Sequence, residues 1–517
     1  MSQKKSGCGC LSIVGIALIL AAAGTYGSRL VIGKELTPYS GAKVIPDEAV
    51  ITSHISTNSN SWAKLQQFGT PVAQNLIEEK LKSWQQEITT QNFNYQTDIQ
   101  PWVGNIMLAI IPKSQEIEEY ETLAVIGIKN KFKAWQFFRK IDKKITKNQY
   151  QGIDISQVIT QDKNSIYWAL IGDKLLLSPT KETIEAAIDT VKGDSSFANR
   201  EGAKEILSQQ VNIANTLAKI YLADPEGMTE KQEVKSAVIG VGVDEQGIKI
   251  QAIAKLNPDL VEGFQQQLKP VKNKIISQFP DSTILLMNGQ GLNKTWEELI
   301  KVGQEYPELE ASLNQGKQLF KQSTNLDLET DIFAWMDGEY GIGIIQGKDS
   351  YGNVAVGGIM IVETSDRPTT ETTLTKVNQI AKYHPFIRIK DSNIQGKQVT
   401  EWQTPQNKTF FSHGWLQDNS LLFSFITPFN EIINGQPLTQ SETFSEITKA
   451  LPQENLGYIY LDIEKAMSLS QNYPQTIIIS PEAKIILSSL RAVGFTASTP
   501  GNNSTQIDVI FLPKKTQ

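Results

Sequence analysis

Three histidines, two cysteines and 55 carboxylates are the residues of this 517-residue chain whose types suit metal, nucleophilic or acid–base chemistry. A metal pair on one element needs ligands about two to four residues apart, and His54, His384 and His413 offer no such spacing. Each therefore reads as a surface or structural histidine. Cys8 and Cys10 are too few for a disulfide framework or a four-thiolate zinc site. No Gly-x-Ser-x-Gly elbow is present, nor a Ser-x-x-Lys with its supporting motifs. Gly240-Val241-Gly242 and Gly341-Ile342-Gly343 lack the third glycine and the following helix of a phosphate cradle, so they read as strand glycines that admit a close neighbour. Asp337 and Glu339 flank Gly338, with Asp331 upstream, and could hold calcium or serve as acid and base. The corresponding Gly104-Asn105 has neither carboxylate, which favours a solvated turn. The expectation is no cofactor, no metal and no catalytic residue.

One charge cluster stands apart. Lys129, Lys131, Lys133, Arg139, Lys140, Lys143, Lys144 and Lys147 share their stretch with a single acid, Asp142. Phe132, Trp135, Phe138, Ile141 and Ile145 recur among them and read as the buried face of an amphipathic helix. Lys133, Arg139, Lys140, Lys143, Lys144 and Lys147 are then the candidate contacts to anionic lipid or an acidic partner. The rival reading is a solvated face balanced by Glu116, Glu118, Glu119 and Glu121.

The elements that must carry these residues begin with an N-terminal apolar run. Lys4 and Lys5 precede it, and from Cys10 to Tyr26 it counts 17 residues, the lower edge of what spans a bilayer. The expected layout is a cytoplasmic tail over 1–9, a transmembrane anchor over 10–32 and a tether over 33–43, with the bulk outside the cytoplasm. A secretory signal ending near Ala21-Ala22-Ala23 is the alternative. The chain as a whole has the composition of a folded protein, 40% hydrophobic and 20% charged. Its net charge of −6 gives no field for binding nucleic acid.

An internal repeat organises the rest. Ile45-Pro46-Asp47 returns as Phe279-Pro280-Asp281, Trp62 as Trp296, and Asp98-Ile99-x-x-Trp102 as Asp331-Ile332-x-x-Trp335. Gln151-Gly152 and Ile220-Tyr221-Leu222 return as Gln395-Gly396 and Ile459-Tyr460-Leu461. Strands grouped as hairpins, with helices between the groups, predict an α+β fold. The expected architecture is two tandem repeats of an antiparallel-sheet-plus-helices module, 44–257 and 278–517, after a single transmembrane helix. A linker helix over 258–277, bent at Pro270, joins them.

The segment from Val44 to Ala49, Trp62 with the Gln-Gln-Phe-Gly-Thr-Pro that starts at Gln66, and Asp98 through Gly104 resemble an uncharacterised, largely cyanobacterial family of membrane-anchored bacterial proteins, a domain of unknown function. The resemblance covers most of the chain after the apolar run. It implies a periplasmic or thylakoid-lumenal location, with envelope or thylakoid proteins or lipids as partners, and supplies no activity and no catalytic residues. The functional expectation is a non-catalytic, membrane-anchored, extracytoplasmic binding or assembly protein. The alternative is a carrier or sensor of a hydrophobic molecule or lipid held between sheet and helices, and an unrecognised hydrolase is the third reading.

Overall fold

The computed structural model of the protein describes residues 35–75, 79, 95–113, 119–141, 146–159, 165–223, 234–257, 269–304, 306–348, 354–472, 480–501 and 503–514. Two compact units divide the chain: 1–265 with 499–507 and 513–517, and 266–498 with 508–512.

The first unit holds β1 (Ile51–Ile55), β2 (Val103–Pro112), β3 (Tyr120–Ile128), β4 (Thr146–Tyr150), β5 (Ile153–Ile159), β6 (Ser165–Ile171), β7 (Lys174–Ser178), β8 (Asn215–Ala223), β9 (Val234–Val243) and β10 (Ile248–Leu256). Side by side they run β10-β9-β8-β1-β2-β3-β7-β6-β5-β4, every neighbour antiparallel. Its helices are α1 (Pro38–Ala42), α2 (Ser59–Leu65), α3 (Lys131–Ile141), α4 (Lys181–Lys192) and α5 (Ala203–Ser208). On one sheet face Ile45, Met107, Leu123, Ile184, Ile188, Phe197 and Ile206 form the larger core. On the other, Trp102, Ile106, Leu108, Ile126 and Ala134 form a second. Because both faces are covered, β2 is buried without a break from Val103 to Ala109 and lacks the alternation of a one-sided strand.

The strands that follow are β11 (Thr283–Gln290), β12 (Glu339–Lys348), β13 (Val354–Glu363), β14 (Arg388–Ile394), β15 (Lys397–Gln403), β16 (Thr409–Gln417), β17 (Ser420–Phe425), β18 (Tyr458–Asp462), β19 (Leu490–Gly501) and β20 (Ser504–Pro513), which lie in the second unit except for residues 499–507 and 513 of the last hairpin, which belong to the first. Their order is β20-β19-β18-β11-β12-β13-β17-β16-β15-β14. Adding ten to each strand of the first order gives the second. The helices are α6 (Leu292–Gly303), α7 (Pro307–Thr324), α8 (Arg367–Tyr383), α9 (Phe429–Asn434), α10 (Glu442–Ala450), α11 (Ile463–Asn472) and α12 (Pro481–Ser488).

Several matched motifs share a contact. Ile45 and Phe279 are both fully buried, and their carbonyls accept the N–H of Phe197 at 2.8 Å and of Leu438 at 2.7 Å. Gln151-Gly152 and Gln395-Gly396 are the two-residue turns of the β4–β5 and β14–β15 hairpins, all four with positive φ, as a tight turn matched to strand twist requires. Gly341 and Gly343 face the Phe279 ring, where a Cβ would come within 2.6 and 2.9 Å of it.

The architecture differs from the expectation in four ways. All twenty strands belong to one antiparallel sheet, which replaces the two separate sheet modules. Beyond its pairing with β9, β10 also pairs with β20, and the Leu256 N–H donates to the Asn503 carbonyl at 2.9 Å. Pairing partners so far apart in sequence leave no local signal. Second, no helix among the described residues is long and apolar enough to cross a membrane, which corrects the single-pass topology and the localisation drawn from it; the apolar run 10–32 itself lies outside the described residues. Third, the tether is in part a built element. Pro38 starts α1 at a position where its missing N–H has no intrahelical partner to lose, and Leu36, Gly41 and Ala42 are buried. Fourth, of the linker helix 258–277, Lys269 to Lys274 are not helical and only a 3-10 turn, Ile275–Gln278, follows; 258–268 lie outside the described residues.

Tyr221 on β8 and Tyr460 on β18 are both fully buried, yet the Tyr460 hydroxyl donates to Asp462 at 3.1 Å while that of Tyr221 has no hydrogen-bond partner. An unsatisfied buried hydroxyl is a liability, whereas a satisfied one is a net gain. Tyr460→Phe is therefore expected to lower unfolding stability by roughly 1–2 kcal/mol, and Tyr221→Phe to leave it unchanged or raise it by up to about 1 kcal/mol, measured by urea denaturation of the full chain.

Candidate functional site

The candidate site is built on Trp102. A π-helical turn, Tyr95–Ile99, leads into β2, and the buried Trp102 indole N–H donates to the Asp98 carbonyl at 2.8 Å. That bond fixes the ring as a floor for α3. The Phe137 and Phe138 rings lie 5.3 and 5.5 Å from it between centroids, and Phe138 stacks on Trp168 of β6 at 5.1 Å. Ala134, Phe137 and Phe138 stand at i, i+3 and i+4, the spacing of one helix face, and that face is the one packed on the sheet.

The opposite edge of α3 is aromatic as well, and it is open. Phe132 is 63% exposed and Trp135 52% exposed, their rings stacked at 6.1 Å. The Arg139 guanidinium lies over the Trp135 ring at 4.7 Å, a cation–π contact that holds both side chains in place. Lys140 reaches across to the Asp98 carboxylate at 2.6 Å. Between the π-helical turn and the helix is a hollow of about 620 Å³, lined by Thr97, Asp98, Lys133, Trp135, Gln136, Phe137, Arg139 and Lys140.

Of the contact residues expected from sequence, Lys133, Arg139 and Lys140 come together at this hollow. Lys147 is exposed on β4 and does not line it, and Lys143 and Lys144 lie outside the described residues. The expected burial of Phe132 and Trp135 is corrected. Spacing by three falls about 60° short of a turn at each step, so Phe132 and Phe138 cannot share a narrow face. Glu121, expected to balance the cluster, is engaged by Lys113 at 3.3 Å and by the Thr180 hydroxyl at 2.7 Å. The cations of α3 are visible in the residue types, whereas the open aromatic pair is not; the adjacent Phe137 and Phe138 are the sequence signal for the inner face.

The groups weighed for chemistry have structural partners. The His54 Nε2 is 3.0 Å from the Leu36 carbonyl, and burial holds its pKa below the usual histidine value. His413 on β16 places Nε2 3.1 Å from the Asn378 Oδ1 of α8, an acceptor that also takes the Trp402 indole N–H at 2.9 Å. Its pKa is pushed down to about 4 by burial. His384 caps the end of α8. The Asp337 carboxylate accepts the Ser365 N–H at 2.9 Å, and buried Glu339 accepts that of Ile275 at 3.2 Å. Burial, then the charge of Glu339, raises the pKa of Glu363. Among the described residues no group of three or more His, Cys, Asp or Glu is placed to hold a metal ion.

Two outcomes follow from this geometry. Phe138→Ala should cost roughly 3 kcal/mol of stability and Trp135→Ala less than about 0.5 kcal/mol in the same urea titration. His413 is neutral when folded and charges more readily when unfolded, so its contribution is intact above pH 6.5 and is lost as pH falls from there toward about 4. Acid should therefore destabilise the chain by up to about 3 kcal/mol across that window, and His413→Gln should flatten the slope of stability against pH there.

Among solved structures, crystal form I of TP0453 is 10% identical, with a TM-score of 0.26, covering 44% of this chain and 82% of that one. Crystal form III of TP0453 is 8% identical, with a TM-score of 0.26, covering 42% and 80%. No curated protein is significantly similar in sequence. The family described as "Protein of unknown function (DUF3352)" matches residues 7–512, nearly the whole length, and the chain belongs to that family.

Proposed function

We propose that this chain is a non-catalytic binding or assembly protein whose first unit makes its contact through the outer edge of α3. The observation that carries this reading is the exposed stack of Phe132, Trp135 and Arg139 beside a hollow with Lys133 and Lys140 in its wall. Single exposed apolar residues are ordinary, but two large rings stacked together and capped by a guanidinium form an ordered patch of the kind enriched at interfaces. The histidines and turn carboxylates support a binding role over catalysis, because their hydrogen bonds go to backbone and to structural side chains.

A second reading, a carrier of a hydrophobic molecule, draws on the sheet of the second unit. Ile459 pairs with Met287, Ile344 with Gly358, and Gly358 with Phe425, so these side chains share one sheet face. Ile459, Met287, Ile344 and Phe425 are each more than a third exposed.

One experiment separates the two. The photoreactive residue p-benzoylphenylalanine is placed at Trp135 or at Ile344 of the full chain, which is irradiated in cells. Adducts of discrete protein mass at position 135 that Arg139→Glu abolishes are the expected result. Small-molecule adducts at position 344, with none at 135, would transfer the function to the carrier reading.

A further inference from the structure

We infer that the hollow beside α3 receives an acidic peptide segment of a partner protein, with carboxylates on Lys133 and Arg139 and an apolar side chain against the Phe132–Trp135 stack. The inference rests on the binding reading above and adds the chemistry of the partner. Charge is the first argument. Lys131, Lys133, Arg139 and Lys140 all project from one eleven-residue helix within a chain of net charge −6. Among the described residues two acids face them: Asp98, held by Lys140, and Asp173, held by Lys174 at 2.9 Å and close enough to sense Lys131. A segment carrying several carboxylates would meet cations that these two acids do not neutralise.

The helix itself adds to this. The first turn of α3 contains no acid and two lysines, Lys131 and Lys133, so side-chain charge adds to the positive end of the helix dipole there. An incoming carboxylate would relieve both at once. The cap of α3 is neutral: the Asn130 Oδ1 accepts the Lys133 N–H at 3.0 Å, whereas the second unit places a carboxylate at that position. There α8 is capped by Asp366, whose carboxylate accepts the Thr369 N–H at 3.1 Å, and Arg367 is paired with Glu371 at 2.7 Å while it covers Trp415 at 4.3 Å. Arg367 of α8 and Trp415 of β16 are thus occupied within their own unit, whereas Trp135 and Arg139 of α3 face outward.

Shape favours a polypeptide over a bilayer. The site is recessed between the π-helical turn and α3, and its volume is that of a small-ligand cleft, which admits a few side chains. A planar headgroup layer would touch the rim and leave the hollow unfilled. Arg139, already fixed over the Trp135 ring, loses little freedom on accepting a carboxylate.

The test uses the full chain and a fluorescein-labelled, capped hexapeptide, Glu-Glu-Phe-Glu-Glu-Leu, followed by fluorescence anisotropy, with its all-glutamine counterpart as control. Saturable binding of the acidic peptide, weakened by added salt and little shared by the glutamine peptide, is expected. Lys133→Glu with Arg139→Glu should weaken it about tenfold or more. The milder Arg139→Gln should weaken it in the same direction, which guards against misfolding of the double variant. Phe132→Ser with Trp135→Ser should weaken it while thermal unfolding is unchanged. Equal binding by wild type and all variants overturns the proposal. So does failure to bind the peptide combined with sedimentation on phosphatidylglycerol vesicles, which would assign the cluster to lipid. If position 135 captures a protein in cells yet the acidic peptide does not bind, the partner chemistry falls and the binding role stands; if position 135 captures nothing, the binding role falls too.

Discussion

The hydrogen bond from the Trp102 indole to the Asp98 carbonyl is the constraint on which the rest of the first unit's outer face depends. A buried indole N–H must find an acceptor, and here it finds one four residues back, in the turn that precedes its own strand. The turn, the strand and the ring become one rigid piece. The ring then dictates how α3 is rotated, because Phe137 and Phe138 have one flat surface to meet. Once that rotation is set, Phe132, Trp135 and Arg139 have nowhere to point but outward. In the second unit the Trp335 indole donates to the Asp331 carbonyl at 3.1 Å, again from a π-helical turn, and Trp335 is buried in one cluster with Leu374 of α8.

Where β2 and β3 run, the sheet is buried on both sides, and this explains their composition. Strands covered on two faces read as continuous apolar runs, as in β2 and in β3 from Leu123 to Ile128. Close approach across such a sheet needs positions without side chains. Gly341 and Gly343 supply these under Phe279, which is why paired glycines sit in strands where no phosphate loop exists.

Much of this was readable from residues alone, though not its closure. The apolar alternation of residues 153–159 coincides with β5, and the Gln-Gly dipeptides matched as a repeat are the turns of two hairpins, a role that the repeat alone did not reveal. The cationic residues of α3 were visible by simple counting. What could not be read was any feature set by distant partners. Most neighbours are consecutive hairpins, but β1 with β8, β11 with β18 and β10 with β20 pair across long stretches of chain, and the last of these makes one sheet of what looks like two of ten in sequence. Helical composition runs from Leu292 to Thr324, yet the stretch is two helices, because Pro307 opens a new one after Gly303. The outward aromatic pair was hidden for a different reason. Aromatic residues at 132, 135, 137 and 138 cover too much of a helix to choose a face until the floor beneath is known.

The pairing of β10 with β20 carries a consequence for how the protein is made. Leu256 and Asn503 belong to the same compact unit, yet almost 250 residues separate them along the chain. Synthesis at the ribosome delivers β10 long before its second neighbour exists. During that interval one side of β10 presents unpaired N–H and C=O groups, the kind of edge that recruits strands from other chains. The first unit is therefore not a domain that finishes folding as it emerges. Its last ladder must wait for the C-terminal hairpin, and closing so long a loop is among the slower steps available to an antiparallel sheet. Nascent chains would then be most vulnerable to misassembly when the first unit is nearly complete in sequence but still open at one strand.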